Sequence, residues 1–154
     1  MDRQRRKALK AGAGLGLWSL LLTAGLVSPS AVWAQDRGMF RAKTLREALE
    51  ALGEARPAMH EGVHIDAQEI AENGALVPIG VRSDIPGTER ISVLVEHNPS
   101  PGATTFSFPE GTLPEVQTRL KLSETSDVYV VVEAEGKLYM NRKRVVVTLG
   151  GCAV

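Results

Sequence analysis

The residue with the most reactive side chain in this 154-residue sequence is its single cysteine, Cys152. A thiolate is a nucleophile that forms mixed disulfides and other sulfur adducts. Cys152 follows Gly150 and Gly151, directly after the alternation Val145, Val147, Leu149. Two glycines after a strand release the backbone from sheet geometry. Residues 150–152, fully extended, carry the sulfur roughly 10 Å beyond a domain edge. The expectation is one thiol on a slim tether over 150–154, with Gly150 and Gly151 as its hinge. One cysteine cannot close an internal disulfide or build a cysteine-based zinc site. At about 8 Å in water the chain-terminal carboxylate disfavours a nearby thiolate by roughly 0.5 kcal/mol. Arg142, Lys143 and Arg144 precede the last predicted strand and stand at its other end. A carrier thiol activated by visiting enzymes therefore fits better than a self-sufficient nucleophile. The alternative is a noncatalytic, exported partner-binding protein with an incidental terminal thiol, since termini tolerate change.

A second pattern could do chemistry. His60-Glu61-Gly62-Val63-His64 matches H-E-x-x-H. On a helix its two histidines would share a zinc ion, with the glutamate as general base. The setting argues otherwise: Pro57 precedes it, Gly62 interrupts it, and Val63-His64-Ile65 continues as a strand-like run. In a strand, positions i and i+4 lie about 13 Å apart, too far for one metal ion. The extended zincin pattern would need glycine at 67 and histidine at 70, where the chain has Ala67 and Ile70. We expect surface histidines near a strand start, with no metal and no cofactor. His97 is isolated and receives no role.

The elements that must position these residues begin with an export signal. Arg5 and Arg6 lead a basic stretch, and an apolar run of 13 residues spans 15–27. That run is short of the roughly 20 residues a membrane-spanning helix needs. Val32 and Ala34 suit signal-peptidase cleavage after Ala34. The paired arginines resemble a twin-arginine signal, which addresses folded cargo for export, so no stable membrane anchor is expected. With residues 1–34 leave five basic residues (Arg3, Arg5, Arg6, Lys7, Lys10) and one acid, Asp2. Of 18 basic and 18 acidic groups, 13 and 17 remain, and the neutral precursor yields a mature chain of net charge −4. Both tryptophans leave as well. An acidic body poor in aromatics excludes the usual modes of nucleic-acid binding.

The mature chain reads as one helix followed by strands. Thr44 and Glu47 form a capping-box pattern ahead of Leu45, Ala48, Leu49 and Leu52, which share one helical face; Gly53 ends it. A helix over 45–52 cannot be stable alone and must dock on something. Strands are predicted at 63–65, 76–81, 90–96, 104–108, 118–122, 127–134, 137–140 and 145–149. Pro78 suggests an edge position for the second. Ile91, Val93 and Val95 share a face, as do Val128, Val130 and Val132, with Tyr129, Val131 and Glu133 opposite. Glu135-Gly136 fits a tight hairpin connection. The pattern describes a β-sandwich of about seven strands in one domain, 35–149; an incomplete barrel is the alternative architecture.

Several segments together resemble the SoxY family: Ile70-Ala71-Glu72-Asn73-Gly74 followed by Val77-Pro78, Asn98-Pro99 with Pro101, Thr118-Arg119-Leu120-Lys121-Leu122, and Val147-Thr148-Leu149-Gly150-Gly151-Cys152. The resemblance covers most of residues 40–154. It implies an immunoglobulin-like β-sandwich with a short N-terminal helix and a flexible C-terminal swinging arm. It also implies pairing with a second β subunit, SoxZ, and a periplasmic role in thiosulfate oxidation. A c-type cytochrome complex would join thiosulfate to Cys152. A hydrolase would then release sulfate, and further enzymes would oxidise or transfer the remaining sulfur. None of these reactions belongs to this chain itself. One departure stands out: the family arm ends Gly-Gly-Cys-Gly-Gly, and here Cys152 is followed by Ala153-Val154. A β-branched residue is stiffer and bulkier than glycine.

Overall fold

A computed structural model describes residues 38–149. The expected export signal over 1–34 and the expected arm over 150–154 lie outside the described residues. Helix α1 (Leu45–Leu52) has the predicted bounds, and local chemistry explains them. The Thr44 hydroxyl accepts the Glu47 N–H at 3.2 Å. The Glu47 carboxylate reaches one residue further back than a reciprocal box requires, and accepts the Lys43 N–H at 2.9 Å. Gly53 stops the helix at φ 124°, a backbone conformation that favours glycine.

Nine strands follow: β1 (Ala58–Met59), β2 (Val63–Ala67), β3 (Ile70–Asn73), β4 (Val77–Ser83), β5 (Thr88–Val95), β6 (Gly102–Ser107), β7 (Glu115–Leu120), β8 (Ser126–Ala134) and β9 (Lys137–Leu149). They form two sheets. One runs β1-β9-β8-β5-β6 with β3 also on β9, and the other runs β2-β4-β7. Valines and isoleucines of both sheets meet in one core, among them Val63, Ile79 and Val81 from the small sheet and Ile91, Val93, Val128 and Val130 from the large one. This is the predicted β-sandwich, with the alternation of β5 and β8 aimed as expected.

The outer face of the large sheet is covered too. Leu94, Tyr129 and Val131 pack there with Ala48 and Leu49 of α1 and with Met39 and Ala42 just upstream. Strands β5 and β8 are thus buried on both faces, which is where the short helix finds the support it lacks alone.

Three expectations are corrected. First, residues 137–140 and 145–149 belong to one continuous strand, β9. The polar stretch Asn141–Arg144 stays in it because Asn141 to Arg144 pair with Val130 to Asp127 of β8. Second, Pro78 lies in β4, the central strand of the small sheet. The proline is tolerated because β2 stops at Ala67, opposite Ile79, so Pro78 has a ladder partner only on β7, Arg119. Third, β1 and β3 were not anticipated; both pair in parallel with β9. The hairpin into β9 turns at Glu135 and Gly136, with φ 51° and 71°, the pair of positive angles of a two-residue type I′ turn.

Candidate functional site

The thiol-bearing tail departs from the end of β9, so the described part of the site is that strand's last segment and whatever holds it. Strand β8 begins at Ser126, whose partner is Val145. Residues 146–149 therefore run past β8. On one edge they pair in parallel with β3: Ile70 with Val146, Ala71 with Val147, Asn73 with Leu149. The Val146 N–H donates to the Glu69 carbonyl at 2.8 Å, and the Thr148 hydroxyl donates to the Glu72 carbonyl at 3.0 Å. On the other edge the Val147 N–H donates to the Thr125 hydroxyl at 3.0 Å. The strand is held on the β3 side as far as Leu149 and on the other side at Val147.

The supports are themselves braced. Asn98 donates from Nδ2 to the Lys121 carbonyl at 2.7 Å and accepts the Ser123 N–H at 3.0 Å. His97 contacts the Thr125 carbonyl through Nδ1 at 2.9 Å, so that nitrogen carries the proton. The Leu122 N–H donates to the Gly74 carbonyl at 2.8 Å. Asn73 Oδ1 accepts the Ala75 N–H at 2.8 Å and turns the chain out of β3. The interior motifs that looked unrelated in sequence thus surround the root of the tail: the Ile70–Gly74 segment, Asn98, the end of the Thr118–Leu122 segment, and Val147–Leu149. Thr125 was missed by sequence reasoning. No side-chain pattern announces a threonine whose hydroxyl stands in for a strand.

The H-E-x-x-H residues are not brought together. Residues 60–62 form a turn, closed by the Val63 N–H on the His60 carbonyl at 3.2 Å. His60 accepts the Gly62 N–H at Nδ1 and meets the Tyr139 ring edge-on at 5.1 Å. His64, in β2, pairs through Nε2 with Asp84 at 2.6 Å. Among the described residues, no three His, Cys, Asp or Glu side chains are grouped to hold a metal ion. Arg142 and Arg144 both approach Asp127, at 3.5 and 3.7 Å. The Arg142 guanidinium is held above its ordinary range by the Tyr129 hydroxyl first and by Asp127 after it. These arginines lie in mid-strand: Arg144 is five residues, roughly 16 Å of strand, before Leu149. Cys152, Gly150 and Gly151 lie outside the described residues.

Comparison with known proteins follows the same outline. The family model "Sulfur oxidation protein SoxY" matches residues 48–152. A solved structure of the sulfur carrier protein SoxY from Chlorobium limicola f thiosulfatophilum is 37% identical; the match covers 73% of this chain and 97% of that one, with a TM-score of 0.61. A superoxide reductase (neelaredoxin) from Ignicoccus hospitalis is 20% identical over 55% of this chain and 78% of its own, with a TM-score of 0.49. No curated protein matches.

Proposed function

This chain belongs to the SoxY family of sulfur oxidation proteins, and on that premise we propose that it is a carrier that holds sulfur intermediates covalently on Cys152. The observation that carries the reading is that the family match runs along β9 and ends on Cys152 itself. Support comes from strand β9, which pairs with β3 as far as Leu149 and gives its Val147 N–H to Thr125 on the other edge, directly ahead of the proposed Gly150-Gly151 hinge.

The chemistry divides between carrier and partners. Cys152 supplies a thiol; its sulfur bonds to the outer sulfur of thiosulfate, giving an S-linked thiosulfonate. The thiol proton is released and two electrons pass to an oxidant, a c-type cytochrome complex. Water then attacks the terminal sulfonate sulfur in a hydrolase, releasing hydrogen sulfate and leaving a persulfide on Cys152. The chain performs neither step and acts as a substrate for both. Its remaining partners in this reading are a SoxZ-like β subunit, paired as a heterodimer, and enzymes that oxidise or transfer the persulfide sulfur. It reaches them in the periplasm after twin-arginine export and cleavage behind Ala34, so the mature protein begins at Gln35.

The test is intact mass of the protein after exposure to thiosulfate and the partner enzymes. Sulfur-bearing adducts on the native chain and none on Cys152→Ser are expected. Native protein without adducts, or adducts that persist in Cys152→Ser, would overturn the reading. Full activity after deletion of residues 150–154 would instead favour a partner-binding protein with an incidental thiol.

A further inference from the structure

We infer that β7 (Glu115–Leu120) is a dimerisation edge: two copies of this chain pair antiparallel through it, centred on Gln117, with Glu115 of each copy opposite Arg119 of the other. A dimer of this kind needs nothing of Cys152 or its reactions.

Strand β7 ends the small sheet, whose order is β2-β4-β7. The phase of its ladder follows from one bond: the Ser83 N–H donates to the Pro114 carbonyl at 3.0 Å. In an antiparallel ladder, pairs that exchange hydrogen bonds alternate with pairs that do not. Val81–Val116 and Ile79–Thr118 are therefore bonded pairs, and Arg82–Glu115, Gly80–Gln117 and Pro78–Arg119 are not. The backbone groups of Glu115, Gln117 and Arg119 point away from β4, toward the open edge. The Glu115 N–H turns back to the Leu113 carbonyl at 2.9 Å. The Gln117 and Arg119 N–H groups meet no further strand among the described residues.

The side chains of the same three residues are exposed and alternate with half-buried Val116 and Thr118. Charge on an edge strand ordinarily keeps other strands away. Here the order of signs decides the outcome: acid at 115, neutral at 117, base at 119. Parallel pairing in register would set Glu115 on Glu115 and Arg119 on Arg119, which is repulsive. Antiparallel pairing about Gln117 reverses one copy and sets each glutamate on an arginine, and opposite charges directly across a ladder attract. That register is also the one that brings all three outward positions onto one another within the strand. Gln117 then exchanges N–H to carbonyl bonds with its copy, and each Arg119 N–H meets the other copy's Glu115 carbonyl. The contact is isologous and closes on itself as a two-fold dimer. Within one copy these side chains are not otherwise engaged: among the described residues none of the three makes a hydrogen bond or ion pair. Arg82, across from Glu115, goes to Asp84 at 3.5 Å. Strand β6 also ends a sheet, but Gly102–Ser107 carries no charge that would select a register.

Sedimentation equilibrium of the purified protein tests this, with a reductant present so that Cys152 disulfides do not contribute. A dimer is expected at low ionic strength, weakening as salt screens the charge pairs. Glu115→Arg and Arg119→Glu should each raise the dimer Kd roughly tenfold or more, since each sets like charges at both ends of the paired edge. The double variant Glu115→Arg/Arg119→Glu should recover the native Kd. Gln117→Pro should abolish the dimer while unfolding near the native urea midpoint, because the N–H it removes points away from β4. Amide exchange at Gln117 and Arg119 should slow as protein concentration rises. A native protein that stays monomeric at millimolar concentration would overturn the inference. So would a dimer that the single reversals leave intact, a double reversal as weak as the single ones, or concentration-dependent protection confined to another strand. If Gln117→Pro fails to fold, the charge reversals decide alone, since both lie on exposed side chains.

Discussion

Asn73 and Leu149 face each other in parallel register as the last pair of the β3–β9 ladder. That pair ends the ladder three residues before Cys152 in the sequence. Asn73 holds its end through the side chain, which accepts the Ala75 N–H and starts the turn into β4.

Asn73→Ala should therefore cost roughly 1 kcal/mol of global stability, the worth of one such hydrogen bond. Amide exchange at 147–149 should rise by more than that global loss explains. Urea unfolding and residue-resolved hydrogen exchange would measure the two effects separately.

Gly102 lies directly beneath Met39. A Cβ built on Gly102 would come within 2.5 Å of the Met39 carbonyl oxygen and 2.6 Å of its Cγ, while Met39 itself is fully buried. Gly102→Ala should cost about 1–3 kcal/mol, the usual penalty of overpacking. Thermal denaturation should show the loss. Protease cleavage near residue 40 should appear at temperatures where the native protein is intact.

Leu49 is buried where α1 meets Leu94, Tyr129 and Val131. Leu49→Ala should lower stability by about 2–4 kcal/mol, whereas Glu50→Ala, on the exposed face, should stay within about 0.5 kcal/mol. Equal effects from the two would mean that α1 is not what covers this face of the sheet.

The tip Ala153-Val154 departs from the glycines of the family arm. Replacing both by glycine should leave sulfur loading of Cys152 at its native rate, read by intact mass over time. A large loss would show that partner enzymes read the tip specifically.

His64 Nε2 and Asp84 Oδ2 lie 2.6 Å apart, with side chains 42% and 51% exposed. Such a pair contributes at most about 1 kcal/mol. His64→Ala should therefore change stability by no more than that, and the purified native protein should contain no stoichiometric zinc by metal analysis. A stoichiometric zinc ion lost in His64→Ala would revive the hydrolase pattern.

Features whose signals are local were legible in the sequence. Thr44, Glu47 and Gly53 mark the ends of α1 within one helical turn of each boundary, and the observed caps use those residues. The alternation of Val128 to Val132 fixes two faces of β8 whatever lies against them. Glu135-Gly136 carries its own turn chemistry. The H-E-x-x-H pattern was equally legible as a misfit, because Pro57 and Gly62 deny it a helix. Harder to read were the elements defined by a distant partner. Strands β1 and β3 have two and four residues, too few to show a period. Asn141–Arg144 looked like a break between strands because their polar side chains conceal backbone pairing with β8.

The sequence by itself determined the composition of the candidate site and its place in the chain: one thiol, two glycines, a β-rich body ahead of them and the motifs that resemble the SoxY family. Only the tertiary structure decided that those motifs surround the end of β9, that Thr125 takes the Val147 N–H, and that β3 pairs with a segment 76 residues away, as Thr148 does with Glu72. The physical reason is that every residue but proline carries the same backbone donor and acceptor. Which partner satisfies them is set by where the folded chain passes, and no side chain records it in advance.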